Sequence, residues 1–279
     1  MPINFCHIAP TAYLKDVCSK QTHHLLLAHL VESDEQYATF YRDLRETKSV
    51  TYILDNSCFE LYKEGRPMFE SSKLLDLACK VGGVDYIVMS DYPNEDTQKT
   101  IEAAQTLVPQ FKAAGVGTFF CPQSKIGDLD GLVESYSWAA SSDYVDYIGV
   151  SILGVPNAYG VEKDNKLQRF TSRWAFMGLL KQERILNTML FNKKKLHFLG
   201  MVDGPNEIAL VKEFHPYITT WDSSAAVWLG LNGRTFDQSP TGLLKGKWEE
   251  PVNFSFPFKE DCLNLVQDNI KYINKLCKR

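Results

Sequence analysis

Short apolar runs rich in β-branched residues recur along the chain, and a segment with helical spacing follows most of them. The runs are continuously apolar rather than alternating, which is typical of strands that helices cover on the outside. We predict eight strands: Ile3–Ile8, His24–Val31, Val50–Asp55, Val84–Asp91, Val116–Cys121, Val145–Ser151, Leu196–Met201 and Tyr217–Asp222.

Amphipathic helices are predicted between these strands. Asp96 and Pro205 stand where helices should begin, and Gly115 stands where one should end. The first unit is weak, because Ala12–Gln21 is short and follows Pro10. The predicted helices are Asp34–Thr47, Met68–Val81, Asp96–Ala114, Asp128–Ser141, Ser172–Phe191 and Pro205–Phe214, with a last helix at Lys259–Cys277.

Eight strands that alternate with helices predict an α/β fold, a single (β/α)8 TIM barrel with a C-terminal helix. The chain has 279 residues, and such a barrel typically needs about 250. We predict one barrel domain over 1–279, in which 229–279 form a loop and helix extension. A doubly wound open sheet is the alternative, but the absence of a dinucleotide fingerprint favours the closed barrel.

Composition narrows the compartment and the partners. The formal net charge of −4 gives no global attraction to nucleic acid, so such binding would depend on a local basic patch. The seven cysteines are scattered without C-x-x-C spacing, which indicates neither a disulfide framework nor a zinc site. The N-terminus does not resemble a signal peptide, and no apolar run approaches the roughly 20 residues of a membrane span. We predict a cytoplasmic protein without a membrane partner.

Polar side chains stand where several predicted strands end. Asp55 and Asp222 each end an apolar run, and Asp91, Gln123 and Ser151 follow other strands. A carboxylate at such a position is costly to desolvate unless it is paired or functional. Either aspartate alone could equally be a helix N-cap. Because the carboxyl ends of barrel strands form the active face, the whole set indicates a site there.

Three other kinds of site are disfavoured. His23, His24 and His197 stand at strand beginnings and His29 is alone, so we predict no metal site. No G-x-S-x-G elbow is present, and Cys58 has no evident histidine base in its motif. A lysine run at 193–195 precedes the seventh strand and therefore lies on the opposite face, where we interpret it as a solvated turn.

Six motifs in order resemble one family. The segments ILDNSCFE, VMSDYP, FFCPQSK, YIGVSILG, LHFLGM and TTWDSSAAVWLGLNGR resemble the queuine/archaeosine tRNA-guanine transglycosylase superfamily. The resemblance implies that Asp222 is the nucleophile and that Asp55 is the acid/base carboxylate. It further implies substrate-binding roles for Phe59, Asp91, Gln123, Ser151, Ile152, Leu199 and Gly200.

Departures from that family point to one branch of it. The C-terminal zinc motif of the tRNA enzymes is missing, which makes the chain more similar to compact DpdA-type DNA 7-deazaguanine transglycosylases, some of them phage-encoded. The resemblance implies exchange of guanine in DNA for a 7-deazaguanine base, through a covalent glycosyl intermediate and without a cofactor, in the host cytoplasm if the chain is phage-encoded. The expected nucleic-acid contacts are Arg169, Arg173, Arg234, Lys245 and Lys247.

Three alternatives stay open beside DNA. The substrate is tRNA, or the same acids serve a hydrolytic N-glycosidase or nucleotide-processing barrel, or the chain is a binding protein that retains a degraded pocket. The oligomeric state is not predicted. All the enzymatic hypotheses require Asp55 and Asp222 to share one gap at the mouth of the barrel.

Overall fold

A computed structural model describes residues 2–202, 204–236 and 252–278, apart from the side chains of Phe59, Tyr62, Lys63 and Ser71. Within these residues the eight predicted strands are present, most of them shorter than predicted. They are β1 Asn4–His7, β2 His23–Leu27, β3 Thr51–Asp55, β4 Tyr86–Val88, β5 Gly117–Phe120, β6 Tyr147–Val150, β7 Lys195–Phe198 and β8 Thr220–Ser223.

Helices follow the strands and form the outer layer. They are α1 Leu14–Val17, α2 Ala28–Ser33, α3 Glu35–Thr47, α4 Cys58–Lys63, α5 Ser71–Lys80, α6 Thr97–Ala113, α7 Leu129–Ser141, α8 Gly154–Ala158, α9 Lys166–Gln182, α10 Ile185–Phe191, α11 Asn206–Leu210, α12 Ala225–Leu231 and α13 Leu263–Cys277. Short 3-10 turns lie at Thr11–Tyr13, Lys212–Phe214 and Glu260–Cys262. No helix in the described part of the chain combines the length and the apolar character that crossing a bilayer requires.

The strands form one parallel sheet in the order β1-β8-β7-β6-β5-β4-β3-β2. β1 pairs with β8, and β2 lies beside β1, so the sheet closes on itself. Among the described residues no ladder pairs β1 with β2; instead the side-chain amide of Gln21 accepts from His7 N and donates to the carbonyl of His7. The predicted (β/α)8 barrel with a C-terminal helix is confirmed.

Contacts between strands that are not neighbours identify the side chains inside the barrel. Phe119 of β5 meets His197 of β7, with ring centroids 5.4 Å apart. The hydroxyl of Tyr147 on β6 lies 2.9 Å from that of Thr220 on β8. Such pairs meet only across the interior, because β6 and β7 respectively separate them. Asp222 follows Thr220 by two residues and therefore points to the same side.

Helical caps and close packing hold the outer layer. The Asp34 side chain accepts from Gln36 N and Tyr37 N, which fixes the start of α3. At the far end of the chain, a Cβ on Gly230 would lie 2.5 Å from the nitrogen of Val266. α12 and α13 therefore approach so closely that only glycine fits between them at this point.

Three of the predicted elements differ most from the structure, which also contains the unpredicted helices α4, α8 and α12. The predicted strand His24–Val31 ends at Leu27, and its second half is α2. The predicted helix Ser172–Phe191 begins earlier and is split into α9 and α10 by Arg184, whose φ is +60°. The predicted helix Pro205–Phe214 is a short α11 followed by a 3-10 turn.

Candidate active site

Asp222 lies in β8 near its carboxyl end and is buried. Its Oδ1 lies 2.9 Å from His197 Nε2 and accepts a 3.1 Å hydrogen bond from the backbone N–H of Gly200. The following helix does not use this carboxylate as a cap, because Ser223 Oγ accepts the hydrogen bond from Ala225 N. The contacts of the Asp222 carboxylate are thus with His197 and Gly200 of the barrel, and not with the N-terminus of α12.

His197 is a site residue that the sequence analysis missed. It was set aside because it stands near the start of a strand, yet its ring points inward and is completely buried. Its Nδ1 lies 2.6 Å from Thr220 Oγ1, and Thr220 in turn contacts the hydroxyl of Tyr147. The signal for it was the register, because His197 pairs with Thr220 and Asp222 is the next inward residue of that strand.

Asp55 ends β3 and experiences the opposite electrostatic environment. Burial raises the pKa of its carboxyl well above the usual range, and the negative charges of Glu60, Asp222 and Asp91 raise it further. Asp55 itself is half-buried. Asp55 and Asp222 lie near the carboxyl ends of β3 and β8 and therefore at the same mouth of the barrel.

A hydrogen-bonded set of amides and a carboxylate lies beside Asp55. Asp91 accepts from Asn56 Nδ2 at 2.9 Å and from Gln123 Nε2 at 2.6 Å. Burial raises the pKa of Asp91, and these hydrogen bonds oppose the shift. Asn56 Oδ1 also accepts from Cys58 N, so Asn56 rather than Asp55 holds the start of α4. The structure thus gathers Asp91 and Gln123 beside Asp55, while their functional roles stay predictions.

The remaining predicted pocket residues lie at the ends of β6 and β7. Ser151 Oγ accepts from the N–H groups of Leu153 and Gly154, so this side chain holds the start of α8. A Cβ on Gly200 would lie 3.1 Å from the side chain of Ile152. Leu199 would similarly be met by a Cβ on Gly149, at 2.9 Å. Ile152 thus lies against Gly200, and Leu199 lies against Gly149; contact of the four predicted residues with a substrate stays a prediction.

Arg173 was expected to contact nucleic acid, and this prediction is wrong. The side chain is fully buried and forms a bidentate ion pair with Glu207, with bonds of 2.7 and 2.6 Å. It also donates to the carbonyls of Val150, Leu199 and Gly200. A guanidinium whose donors are used inside the protein has none left for a phosphate.

The other predicted nucleic-acid contacts that the structure describes are less buried than Arg173. Arg169 is half-buried in the first turn of α9. Arg234 is exposed and follows α12, which leads away from the carboxyl end of β8. Lys245, Lys247 and the side chain of Phe59 lie outside the described residues.

Two nucleophile candidates near the mouth are held in unreactive forms. Burial raises the pKa of the Cys58 thiol, and the charges of Asp91, Asp55 and Glu60 raise it further, so the thiolate is disfavoured. His29 Nδ1 lies 3.0 Å from Ser57 Oγ, but Ser57 is fully buried and accepts from the backbone N–H of His29. Among the described side chains no group of three His, Cys, Asp or Glu could hold a metal ion.

Solved structures with similar folds are barrels. A putative fructose-1,6-biphosphate aldolase from Coccidioides immitis has a TM-score of 0.55 at 14% identity, covering 99% of this chain and 91% of that one. A HpcH/HpaI aldolase/citrate lyase family protein from Burkholderia cenocepacia has 0.50 at 11%, covering 82% and 90%. A mutant tryptophan synthase alpha-subunit from Pyrococcus furiosus has 0.51 at 11%, covering 98% and 97%. No family model matches the sequence, and no curated protein matches it.

These neighbours overturn the transglycosylase resemblance. They are aldolase, lyase and tryptophan synthase barrels rather than tRNA-guanine transglycosylases, and no family model supports the six motifs. The predicted glycosyltransferase activity, its DNA and tRNA substrates, the hydrolytic alternative and the nucleic-acid partner are therefore wrong. The physical reason is that each motif is a short strand end, and apolar runs that end in polar residues are common to parallel barrels in general.

Proposed function

We propose that this chain is a small-molecule lyase that works by general acid–base catalysis at the carboxyl-terminal mouth of the barrel. Asp222 is the base and Asp55 is the acid. One observation carries the proposal: at the mouth, Asp222 is held by His197 and the Gly200 N–H, while burial and acidic neighbours raise the pKa of Asp55. Pairs of titratable groups whose surroundings separate them in this way are typical of acid–base sites.

Asp222 has the geometry of a base. His197 and the Gly200 N–H both contact Oδ1. Among the described residues no hydrogen bond reaches Oδ2, so this oxygen is available to a substrate. A carboxylate held by two donors keeps a fixed orientation, which is what proton abstraction requires.

Asp55 has the properties of an acid. Its pKa is raised mainly by burial and then by the charges of Glu60, Asp222 and Asp91. It therefore retains its proton at a higher pH than an ordinary aspartic acid and can donate that proton to a departing group.

The lyase class follows from what this pair can do. The base removes a proton from a hydroxyl or a carbon of the substrate, the adjacent bond breaks, and the acid gives its proton to the group that leaves. Two of the neighbours above are named as aldolase or aldolase/citrate lyase barrels, which supports this reaction class.

The walls of the mouth have distinct parts in this proposal. Gln123, held by Asp91, orients polar groups of the substrate, while Asn56 keeps Asp91 in place. Ile152 and Leu199, after β6 and β7, give the substrate apolar surface on the other side. We further propose that 1–279 form one domain and that the protein works in the cytoplasm.

Turnover of a panel of β-hydroxy acids and hydroxy ketones tests this function. Aldehyde or ketone release is measured for the wild type, Asp222→Asn and Asp55→Asn, with exposed Asp268→Asn as the matched control. We expect turnover that falls about 10²–10⁴-fold in each site variant, the usual contribution of a general acid or base, and is unchanged in the control. Cleavage that survives both site variants, or no cleavage of any compound in the panel, contradicts the proposal.

A further inference from the structure

Three polar side chains, Tyr147, Thr220 and His197, form a hydrogen-bonded relay that runs through the interior of the barrel to Asp222 at the mouth. The hydroxyl of Tyr147 lies 2.9 Å from Thr220 Oγ1, which lies 2.6 Å from His197 Nδ1. His197 Nε2 lies 2.9 Å from Asp222 Oδ1. Tyr147, Thr220 and His197 are at most 1% exposed. Polar groups buried to this extent are costly unless every one is satisfied.

The number of hydrogens available to the relay decides which group donates and which accepts in each hydrogen bond. Tyr147 and Thr220 each supply one hydroxyl hydrogen, and a neutral His197 supplies one ring N–H. If Nε2 carries that hydrogen, it donates to an anionic Asp222. The bare Nδ1 then accepts from Thr220, whose oxygen accepts from Tyr147. All three hydrogens have acceptors in this arrangement.

The other arrangements leave a hydrogen without an acceptor. If His197 were an imidazolium, or if Asp222 were protonated and donated to Nε2, then Nδ1–H would donate to Thr220. Thr220 would donate to Tyr147, and the hydroxyl hydrogen of Tyr147 would need another acceptor. No second hydrogen bond of this hydroxyl exists among the described residues. A buried, unmade hydrogen bond of this kind is expensive, so these arrangements are disfavoured.

Aromatic rings and few charged groups surround these side chains. The Phe119 ring stacks on Tyr147 at 5.3 Å and meets the edge of His197. The Lys195 ammonium lies 5.5 Å from the centre of the Tyr147 ring. The thiol of Cys6 is buried, and burial raises its pKa, so it adds no charge. Asp222 is the anion that contacts the imidazole, and the hydrogen count above decides between the arrangements.

We propose that Tyr147, Thr220 and His197 are positioning residues. Tyr147 and Thr220 hold His197 as its Nε2–H tautomer, and His197 thereby fixes the orientation of the Asp222 carboxylate. Their catalytic relevance rests on the function proposed above, but their arrangement does not. In the reaction they keep Oδ1 bonded while Oδ2 faces the substrate.

Nitrogen NMR of the full-length protein tests the tautomer without any substrate. Long-range ¹H–¹⁵N correlation spectra distinguish protonated from unprotonated ring nitrogens, and His197→Gln assigns the signal. We expect a protonated Nε2 and an unprotonated Nδ1 near neutral pH. A protonated Nδ1, in either the other tautomer or an imidazolium, would overturn the proposal.

Two variants then test the relay beyond His197. Thr220→Val removes the donor to Nδ1, and Tyr147→Phe removes the donor to Thr220; we expect both to shift the Nδ1 resonance and to mix the tautomers, with the larger change in Thr220→Val. The matched control is Tyr136→Phe, because Tyr136 is also buried but donates to the carbonyl of Gly149 outside the relay. Spectra that are the same in all three variants contradict the relay.

Kinetics separate this inference from the proposed function. If a substrate is found, Thr220→Val should lower kcat about 10–100-fold with KM little changed, as loss of an outer-shell partner does at histidine–metal sites. His197→Gln, which keeps a side-chain donor, should retain part of the activity that is lost in His197→Leu. The expected tautomer without turnover rejects the lyase alone. Turnover with the opposite tautomer rejects the relay alone.

Discussion

The two sides of the barrel mouth hold the same residue type by different contacts. On the β7–β8 side, Asp222 meets the His197 ring and accepts a backbone hydrogen bond at one oxygen. On the β3 side, Asp55 has acidic neighbours, and burial raises its pKa. The comparison teaches that two aspartates at equivalent strand ends have different partners, because the side chains on adjacent strands differ.

The β7–β8 side is also anchored from outside the barrel. Arg173 of α9 reaches the carbonyls of Leu199 and Gly200, and its guanidinium lies 4.9 Å from the Phe198 ring and 5.4 Å from the Trp221 ring. The same Gly200 whose carbonyl accepts from Arg173 donates its N–H to Asp222. On the β3 side, by contrast, the amide of Asn56 supplies the corresponding support.

The largest expected effect is on the anchored side, in Glu207→Gln. This variant leaves the buried guanidinium of Arg173 without a countercharge, which should lower the free energy of unfolding by about 3–5 kcal/mol. Urea denaturation measures the change. The control is Glu213→Gln, because Glu213 is 54% exposed in its pair with Lys181 and should cost at most about 1 kcal/mol. Equal losses in the two variants would remove the distinction between the anchored side and the surface.

A smaller effect is expected on the β3 side, in Asn56→Ala. The variant removes the donor to Asp91 and the bond to the carbonyl of Met89, and leaves the N–H of Cys58 unpaired. Unpaired buried groups should lower the free energy of unfolding by about 1–3 kcal/mol, again measured in urea. Exposed Gln98→Ala should change it by no more than about 0.5 kcal/mol. A loss larger than that of Glu207→Gln would reverse the ranking of the two sides.

The smallest effect, counted for each pH unit, is on the pH dependence of stability that Asp55 causes. The native state keeps the proton of Asp55 longer than the unfolded chain does, because its native pKa is raised. Its contribution is therefore fully present below the ordinary value of 3.8 and is lost as pH rises through the native pKa. Asp55→Asn should flatten this decline by up to about 1.4 kcal/mol per pH unit, seen by denaturation between pH 4 and 8.

Asp96 provides the opposite sign as a control. A hydrogen bond from Lys125 lowers the pKa of Asp96, so its stabilisation is present above the ordinary value and is lost as pH falls. Asp96→Asn should therefore remove a contribution near neutral pH that Asp55→Asn does not. A wild-type decline that Asp55→Asn leaves unchanged would show that the acid is elsewhere.

The sequence patterns predict the barrel well because continuous apolar runs and strand-end polar residues are local properties. They fail at α2, because an apolar run does not distinguish a buried strand from a buried helix. They also fail at Arg184, where a left-handed residue divides one helical pattern into two.

The candidate site was only partly predictable, because some of its contacts join residues on different strands and helices. Asp55, Asp91, Gln123 and Asp222 are visible as strand ends, whereas His197 becomes visible only when β7 is placed in register with β8. Arg173 was predicted to contact nucleic acid because it lies near the insertion that follows the sixth strand, on the active face of the barrel. Its buried partner, Glu207, is 34 residues away in sequence, a separation that no local pattern reports.

The Gln21 side chain between β1 and β2 has a mechanical consequence. Among the described residues, the other junctions of the barrel are backbone ladders, whereas this one is joined by the Gln21 amide, which bonds both the N–H and the carbonyl of His7, and by the Cys18 thiol, which donates to the same carbonyl. The barrel therefore has its fewest backbone cross-links between β1 and β2. Thermal opening should begin there, and β1 should stay attached to β8 and to α13, whose Cys277 carbonyl accepts from Ile3 N.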